Sequence, residues 1–396
     1  MDFLTTQESA ERWGISPRQV QRLIAAGRIP EARRHGRAWL IPADAAKPAD
    51  LRAGGPPPTA QAPPPFGPLP YNIPNFLLSP FYSAPGTADE LIAALDNAEA
   101  QTLGAALLAY YRGQNREAER LAAGLLAGSC SFETQVGCTL TLATCARYSG
   151  SVHSWNRARA RLLSLSRQRP DSQAVIITEA ALSGVLYMRE APEWLQKGRF
   201  IRFHPVSYPV LGYLYAKWLL MQKRYDALLA AVEPLIAAAH ACGCLLSELY
   251  LHIIIAVAYR ISGDEKSAAQ HLETALDLAL PDKLYGALAE YRRQLGTALD
   301  EALKRRDNDA YQRVRETYER LAAGFTVLHN AVTGAELTNE LTLREFEIAS
   351  LSEQGESNAA IARRLSLTVG SVKSYFNTIY QKLGVDRRDD LSKYLV

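Results

Sequence analysis

The segment that decides the C-terminal fold is Leu341–Val385, which reads LTLREFEIASLSEQGESNAAIARRLSLTVGSVKSYFNTIYQKLGV. A Thr followed three residues later by a Glu marks a helix N-terminus, because each side chain accepts the other residue's backbone N–H. Thr342 and Glu345 have this spacing. The sequence therefore predicts a helix that starts at 342 and ends near Gly355, a residue suited to a helix C-terminus.

Two further helices are predicted in the same segment. Ser357 caps a short helix over 358–365, and Thr368 caps a longer one that ends at Gly384. A turn of about three residues joins them, which is the arrangement of a helix-turn-helix. Residues 357–385 contain no Asp or Glu, and their basic residues are Arg363, Arg364, Lys373 and Lys382. This local excess of positive charge favours a polyanion as the partner, although the whole chain carries only +3.

Residues 341–391 resemble the LuxR-type DNA-binding domain of bacterial transcription regulators. The matching motifs are Leu341-Thr342-x-Arg344-Glu345, Gly355-x-Ser357-Asn358, Ile361-Ala362, Val372-Lys373 and Ile379-Tyr380-x-Lys382-Leu383-Gly384-Val385. The resemblance implies a four-helix domain whose third helix enters the major groove of double-stranded DNA. It also implies a fourth helix, 387–395, that forms a homodimer surface.

The resemblance assigns roles to seven residues of this segment. It implies that Lys373, Ser374 and Asn377 read bases, and that Thr368, Ser371, Arg363 and Lys382 hold phosphates. The sequence departs from the family at Ala360, Gly370 and Tyr375, which leaves the target preference open. A generic three-helix domain with solvated lysines is the alternative, and Lys382 could equally be an ordinary surface charge.

The N-terminal residues 1–42 predict a second, smaller helix-turn-helix. Thr5 and Glu8 form another capping box, and Ser16-Pro17 combines an N-cap with a proline at the first helical position. A helix is expected over 17–26, followed by a basic hairpin over 32–42 that turns at His35-Gly36. Together these elements predict a winged helix-turn-helix.

This stretch is similar to the excisionase/MerR-like DNA-binding domain over about residues 4–42. The matching motifs are Leu4-Thr5-x-x-Glu8-x-Ala10, Ile15-Ser16, Arg22-Leu23-Ile24-x-x-Gly27-x-Ile29-Pro30 and Arg37-x-Trp39. The expected DNA contacts are Arg18, Gln19 and Arg22 on the helix and Arg33, Arg34 and Arg37 on the wing. A small protein-docking module with incidental arginines is the alternative.

Residues 43–86 hold a dozen of the chain's 21 prolines. Such a segment cannot form a helix or a central strand, so we expect an extended tether. Its end, 71–82, is rich in large apolar side chains, and we expect it to dock on the following domain.

Residues 87–330 predict a helical-repeat domain. Four apolar helices end in short polar turns near Gly113, Gly150, Lys223 and Gly263, about every 34 to 40 residues. This pattern resembles the tetratricopeptide family in a degenerate form. The predicted fold is therefore mostly α, with a tetratricopeptide-like solenoid between the winged helix-turn-helix and the LuxR-type domain over 337–396.

Other features argue against catalysis, metals and membranes. The chain has no Gly-Lys dipeptide and hence no P-loop, and it has no GxSxG, HExxH or paired-cysteine motif. Its five cysteines include no metal-ligand spacing, so we expect reduced core residues in a cytoplasmic protein with no metal and no cofactor. The apolar run 249–261 is too short for a membrane span and predicts a buried helix. No targeting segment is visible at the N-terminus.

Together these observations predict a cytoplasmic, sequence-specific transcription regulator that is not an enzyme. The repeat domain would act as a sensor for a small molecule or peptide, or as a protein-docking module. Two alternatives remain open: an architectural DNA-binding protein, and a tetratricopeptide scaffold whose terminal domains have lost DNA affinity.

Overall fold

The computed structural model describes residues 3–25, 29, 32–35, 38–43, 45, 82–95, 97–185, 191–334 and 340–394. The chain divides into two compact units, residues 1–69 and 70–396, and each is described separately.

The first unit combines two helices with a small antiparallel sheet. Its elements are β1 (Phe3–Thr5), α1 (Thr6–Trp13), α2 (Pro17–Ala25), β2 (Arg33–His35) and β3 (Ala38–Pro42), with strand order β1-β3-β2. The capping box is confirmed, because the Thr5 side chain accepts from the backbone N–H of Glu8. Strands β2 and β3 pair as the predicted hairpin, but its turn lies outside the described residues. The strand β1 was not predicted, since its three residues are too few to show a periodic pattern.

The described middle of the second unit is helical. Its α-helices are α3 (Ala88–Ala93), α4 (Ala98–Tyr111), α5 (Asn115–Ala127), α6 (Phe132–Ser149), α7 (Val152–Gln168), α8 (Gln173–Val185), α9 (Glu193–Gln196), α10 (Tyr208–Met221), α11 (Tyr225–Ala241), α12 (Leu245–Ser262), α13 (Glu265–Ala279), α14 (Tyr285–Glu290), α15 (Arg292–Leu295), α16 (Thr297–Arg306) and α17 (Asn308–Thr333). A 3-10 turn, Pro205–Ser207, precedes α10. The prediction of a mostly α chain with a long helical middle is confirmed.

The predicted turns separate helices that pack on one another. They join α4 to α5, α6 to α7, α10 to α11 and α12 to α13, and each pair is in contact. Three of the four turns place a glycine in the left-handed region, Gly113, Gly150 and Gly263. The fourth places Lys223 there, with φ of 56°, at a conformational cost that glycine avoids.

The last helix of the repeat region, α17, packs against earlier helices of that region. It contacts α6 and α14, so residues near the end of the region lie next to residues near its start. The close approach occurs at Gly324, where an added Cβ would lie 2.2 Å from the carbonyl oxygen of Arg147. A larger residue at this position would force the two helices apart.

The predicted docking of 71–82 can be followed only at its end, since 71–81 lie outside the described residues. Tyr82 is fully buried, and its hydroxyl donates to Asp282 Oδ2 at 2.5 Å. Its carbonyl accepts from the backbone N–H of Leu245 at 2.9 Å. The tether therefore meets the helical region at Tyr82.

The apolar run predicted to be a buried helix lies in α12. This helix is long and apolar enough to cross a membrane, but 72% of it is buried inside the bundle. It fills the centre of the largest core, in the manner of a core helix of a soluble protein.

The C-terminal domain contains α18 (Leu343–Glu353), α19 (Asn358–Arg364), α20 (Val369–Leu383) and a 3-10 helix, Arg388–Lys393. The expected fourth helix over 387–395 is present, as a 3-10 helix where it is described. Arg388 anchors it by donating to the carbonyl oxygens of Ser352, at 2.9 Å, and of Glu356. The buried side chain of Leu391 holds it from the other side, so the chain is pulled against α18 within six residues.

Two Gly→Ala variants test the packing of α17 on α6. Glycine inside a helix is less favourable than alanine by about 1 kcal/mol, so Gly124→Ala in α5, with nothing within 4 Å of the added Cβ, should stabilise the protein by about 0.5–1 kcal/mol. Gly324→Ala gains the same helix propensity, but its added Cβ collides with the backbone of α6. The free energy of unfolding should therefore fall by about 1–3 kcal/mol net. Denaturant unfolding measures both variants. A stabilising Gly324→Ala would contradict the close packing of α17 on α6.

Candidate nucleic-acid interface

Helix α20 has one buried side and one exposed side. Thr368 caps it by accepting from the backbone N–H of Ser371 at 3.0 Å, and Gly384 ends it in the left-handed conformation. Its inner side chains recur at helical spacing and pack on α18 and α19: Val372, Phe376, Ile379 and Leu383. The four side chains recur every three or four residues and form one continuous buried stripe.

The three predicted base-reading residues lie on the opposite side. Lys373, Ser374 and Asn377, which we call the reader face, are all exposed. Lys373 and Asn377 are four residues apart and therefore lie side by side on the helix surface. The structure thus brings together one cationic and two polar side chains on an exposed helix.

The residues predicted to hold phosphates differ in exposure and in side-chain partners. Thr368 and Arg363 are exposed, whereas Ser371 is half-buried with its Oγ 2.8 Å from Thr368 Oγ1. Lys382 forms an ion pair, with Nζ 2.6 Å from Oε2 of Glu345. A phosphate at Lys382 would have to compete with that carboxylate.

The Lys382–Glu345 pair belongs to the cap of α18. Burial alone would raise the pKa of Glu345, but hydrogen bonds from Lys382 and from the backbone N–H of Thr342 lower it. The carboxylate is therefore ionised at neutral pH and holds the lysine in place. Lys382 ties the end of α20 to the start of α18, a role that the sequence did not indicate.

Arg363 and Arg364 are neighbours with different surroundings. Arg364 donates to Glu356 and lies 4.0 Å from Glu265 of α13, and its side chain is only 15% exposed. Arg363 is exposed, and its guanidinium makes no hydrogen bond or ion pair with a described residue. Of these two arginines, Arg363 is therefore the one positioned to meet a phosphate directly.

The C-terminal domain is docked on the repeat domain through Glu347. Its carboxylate accepts from Arg260 Nη2 at 3.2 Å, from the backbone N–H of Thr297 at 3.1 Å and from Arg344 Nη1 at 3.1 Å. We call this group the docking clamp. The Glu347 side chain is only 6% exposed, so its charge depends on these donors.

The docking clamp needs a glycine at position 296, because the Glu347 carboxylate occupies the space of a side chain there. An added Cβ there would lie 1.8 Å from Glu347 Oε1, and Gly296 has φ of 59° with ψ of −140°, a conformation almost restricted to glycine. Beside it, the Arg293 guanidinium lies 3.8 Å from the ring centroid of Phe346. Lys223 also donates to Glu353, so the contact has charged pairs around an aromatic centre.

The first unit offers fewer described contacts for DNA. Arg18 on α2 and Arg34 on β2 are exposed. The side chains of Gln19, Arg22 and Arg33, and all of Arg37, lie outside the described residues. Its core is formed by Ala10, Trp13, Val20, Ile24, Ile29 and Ile41.

Family models match both ends of the chain. Residues 3–45 match a helix-turn-helix domain, and residues 339–395 match the luxR family of bacterial regulatory proteins. The chain is a DNA-binding transcription regulator. No curated protein sequence matches it. The prediction of a helix-turn-helix at each end is confirmed, while neither model covers the repeat region.

The docking clamp can be tested with Gly296→Ala. The added Cβ collides with Glu347, so we expect the C-terminal domain to detach. Digestion with a Glu-specific protease, which can cut at Glu336 and Glu340, should release that domain at least about tenfold faster, as expected for a buried contact worth more than 1.4 kcal/mol.

Gly263→Ala is the matched control. Gly263 also has positive φ, at 85° with ψ of 6°, but nothing lies within 4 Å of its added Cβ, so the variant adds left-handed backbone strain without a collision. Equal release rates from the two variants would show that strain, and not loss of the clamp, explains the effect.

Proposed function

We propose that this protein is a sequence-specific transcription regulator in which the repeat domain holds the C-terminal helix-turn-helix ready to bind DNA. The observation that carries the proposal is the exposed reader face on a domain whose other side is fixed by the docking clamp. Lys373 donates to guanine acceptors and Asn377 can pair with adenine in the major groove. Arg363, Thr368 and Ser371 would hold the flanking phosphates.

The docked arrangement supports DNA binding without undocking. The C-terminal domain contacts the repeat domain through Glu347 on α18 and through the side chain of Arg364 on α19, while the reader face lies on α20 and stays exposed. A domain that is already oriented loses less freedom on binding than one on a loose tether. The repeat domain would thus contribute affinity without touching DNA.

The N-terminal domain supplies a second DNA contact in this proposal. Arg18 and Gln19 with Arg22 would face the major groove, and Arg33, Arg34 and Arg37 would hold the backbone or minor groove. The proline-rich tether would let the two domains engage separate sites, through a raised effective concentration.

The regulator is proposed to act as a homodimer in a bacterial cytoplasm, through residues 387–395. Leu391 of the 3-10 helix faces its own domain, whereas Asp389 in that helix and Arg387 just before it are exposed. The dimer contact would therefore be polar. Its footprint would contain two half-sites about one helical turn apart.

The repeat domain is proposed to be tetratricopeptide-like and to receive a signal. The turns at Gly113, Gly150, Lys223 and Gly263, each between packed helices, support the repeat assignment. A sensor is favoured over a passive scaffold because the same domain holds the docking clamp.

Salt titrations of DNA binding separate this function from its two alternatives. A scaffold shows no salt-dependent affinity, and an architectural protein shows salt dependence with little sequence preference. A regulator shows both, with typically 10³-fold or greater preference for its operator.

Two variants test the reader face on a site selected from a random DNA library. Lys373→Ala should weaken the best site by about 1–3 kcal/mol and relax its preference. Arg363→Ala should weaken all sequences alike and reduce the salt slope by about one. Quantitative gel shifts measure both effects.

Matched controls are Lys266→Ala on α13 and Arg159→Ala on α7, both exposed in the repeat domain. They should leave affinity and preference unchanged. Intact sequence preference in Lys373→Ala would overturn the assignment of the reader face.

A further inference from the structure

One helix of the repeat domain carries a concentrated positive charge. Helix α7 and the residue after it hold five arginines, and the chain has no Asp or Glu between Glu133 and Asp171. The fifth arginine, Arg169, pairs with Glu133. The other four are exposed, and their guanidinium groups form no hydrogen bond or ion pair with a described residue: Arg157, Arg159, Arg161 and Arg167.

The four arginines lie on the outer side of α7. The buried side chains of this helix form a narrow stripe that packs on α6, α8 and α17: Trp155, Ala158, Leu162 and Leu165. The remaining positions of the helix are exposed or half-buried. We call the four arginines, together with the exposed Ala160 and Leu163, the α7 basic face.

The acids around the α7 basic face have other donors or belong to other elements. Glu133 pairs with Arg169, and Glu99 accepts from the hydroxyl of Ser131. Helix α8 contains one acid, Glu179, and the part of α17 that packs on α7, 321–333, contains none. None of the described acids forms an ion pair with an arginine of the face. Its charge is therefore available to a partner.

The placement of these charges is unfavourable for the helix itself. Arg157 and Arg161 are four residues apart, so their charges lie side by side and repel each other. The first turn of α7 contains no acid to complement the helix macrodipole. A negatively charged partner on the outer side would relieve the repulsion.

The α7 basic face also has an apolar centre. Leu163 is 52% exposed and lies four residues from both Arg159 and Arg167, so the three side chains form one row along the helix. Ala160 lies one turn before Leu163. An apolar centre inside a polar rim is typical of protein interfaces, whereas DNA phosphates would engage only the arginines. The face therefore favours a polypeptide over a nucleic acid.

We propose that the α7 basic face docks an acidic amphipathic segment of another protein. Its carboxylates would accept paired hydrogen bonds from the arginines, and its apolar side would cover Leu163. The 17 residues of α7 span about 25 Å, which a helical segment of about 15–20 residues would match.

The docked C-terminal domain leaves this face open. Its ion pairs with the repeat domain are formed by Lys223, Arg260 and Glu265, none of which lies on α7 or on the helices that cover it. An acidic partner would give the signal-receiving role of the repeat domain its chemistry, and in that respect the inference rests on the proposed function. Binding of the segment itself does not need DNA.

Fluorescence anisotropy of the full chain with a labelled synthetic peptide tests the surface without DNA. The acid probe is a peptide of about 20 residues in which Glu recurs at helical spacing beside a row of Leu, and the neutral probe has Gln in place of each Glu. The acid probe should bind at least about tenfold more tightly than the neutral probe, and added salt should weaken it. Equal binding of the two probes, or no binding of the acid probe, would overturn the proposal.

Arg157→Glu and Leu163→Ser test the two parts of the face. Arg157→Glu should weaken binding of the acid probe about fivefold or more. Its new carboxylate lies four residues before Arg161 in the favourable orientation, so the thermal unfolding temperature should not fall. Leu163→Ser should weaken binding about threefold or more, because less apolar surface is covered.

Lys266→Glu, exposed on α13, is the matched control for Arg157→Glu, because it changes the net charge equally. It should bind the acid probe as the unmodified chain does. Equal affinity of Arg157→Glu and Lys266→Glu for the acid probe would overturn the assignment of the face.

The same variants identify other occupants. A random-sequence DNA duplex should bind Arg157→Glu and Lys266→Glu equally. A selective loss in Arg157→Glu would assign the face to nucleic acid and overturn the proposal. Self-association that Arg157→Glu abolishes in analytical ultracentrifugation would assign the face to a second copy and likewise overturn it. Absence of DNA binding by the unmodified chain would count against the proposed function and not against the acidic partner.

Discussion

The arrangement of the second unit depends on one buried carboxylate. Glu347 belongs to the DNA-binding domain, but two of its three donors, Arg260 and the backbone N–H of Thr297, belong to the repeat domain. A charge taken out of water is stabilised only if donors surround it, so removing either partner leaves a costly unpaired group. This constraint fixes which side of the domain faces the bundle, and thereby leaves α20 on the outside.

The elements that the sequence predicted well are those set by local chemistry. The capping boxes at Thr5 and Thr342 and the caps at Ser357 and Thr368 are all present, because each depends on residues three positions apart. The repeat turns were predictable for the same reason. Base-reading and phosphate residues could be named only from the resemblance, and their contacts with DNA stay predictions.

The features that the sequence did not indicate depend on residues far apart in the chain. Nothing local distinguishes Arg364 from Arg363, yet only Arg364 meets Glu265 across the docking contact. The pairing of Lys382 with Glu345 and of Arg147 with Glu290 likewise needs the tertiary fold. The fourth helix over 387–395 takes the 3-10 form where it is described, and the bonds from Arg388 to the carbonyl oxygen of the distant Ser352 could not be read from the sequence.

We propose that the protein binds DNA with its C-terminal domain still docked. Hydrogen–deuterium exchange of the peptide that contains Thr297, with and without a selected operator duplex, tests this claim directly, because its N–H donates to Glu347. We expect this amide to stay protected when DNA is added, while peptides of α20 gain protection. Faster exchange at Thr297 on DNA binding would contradict it, since the docked state would then be one that the protein leaves in order to bind.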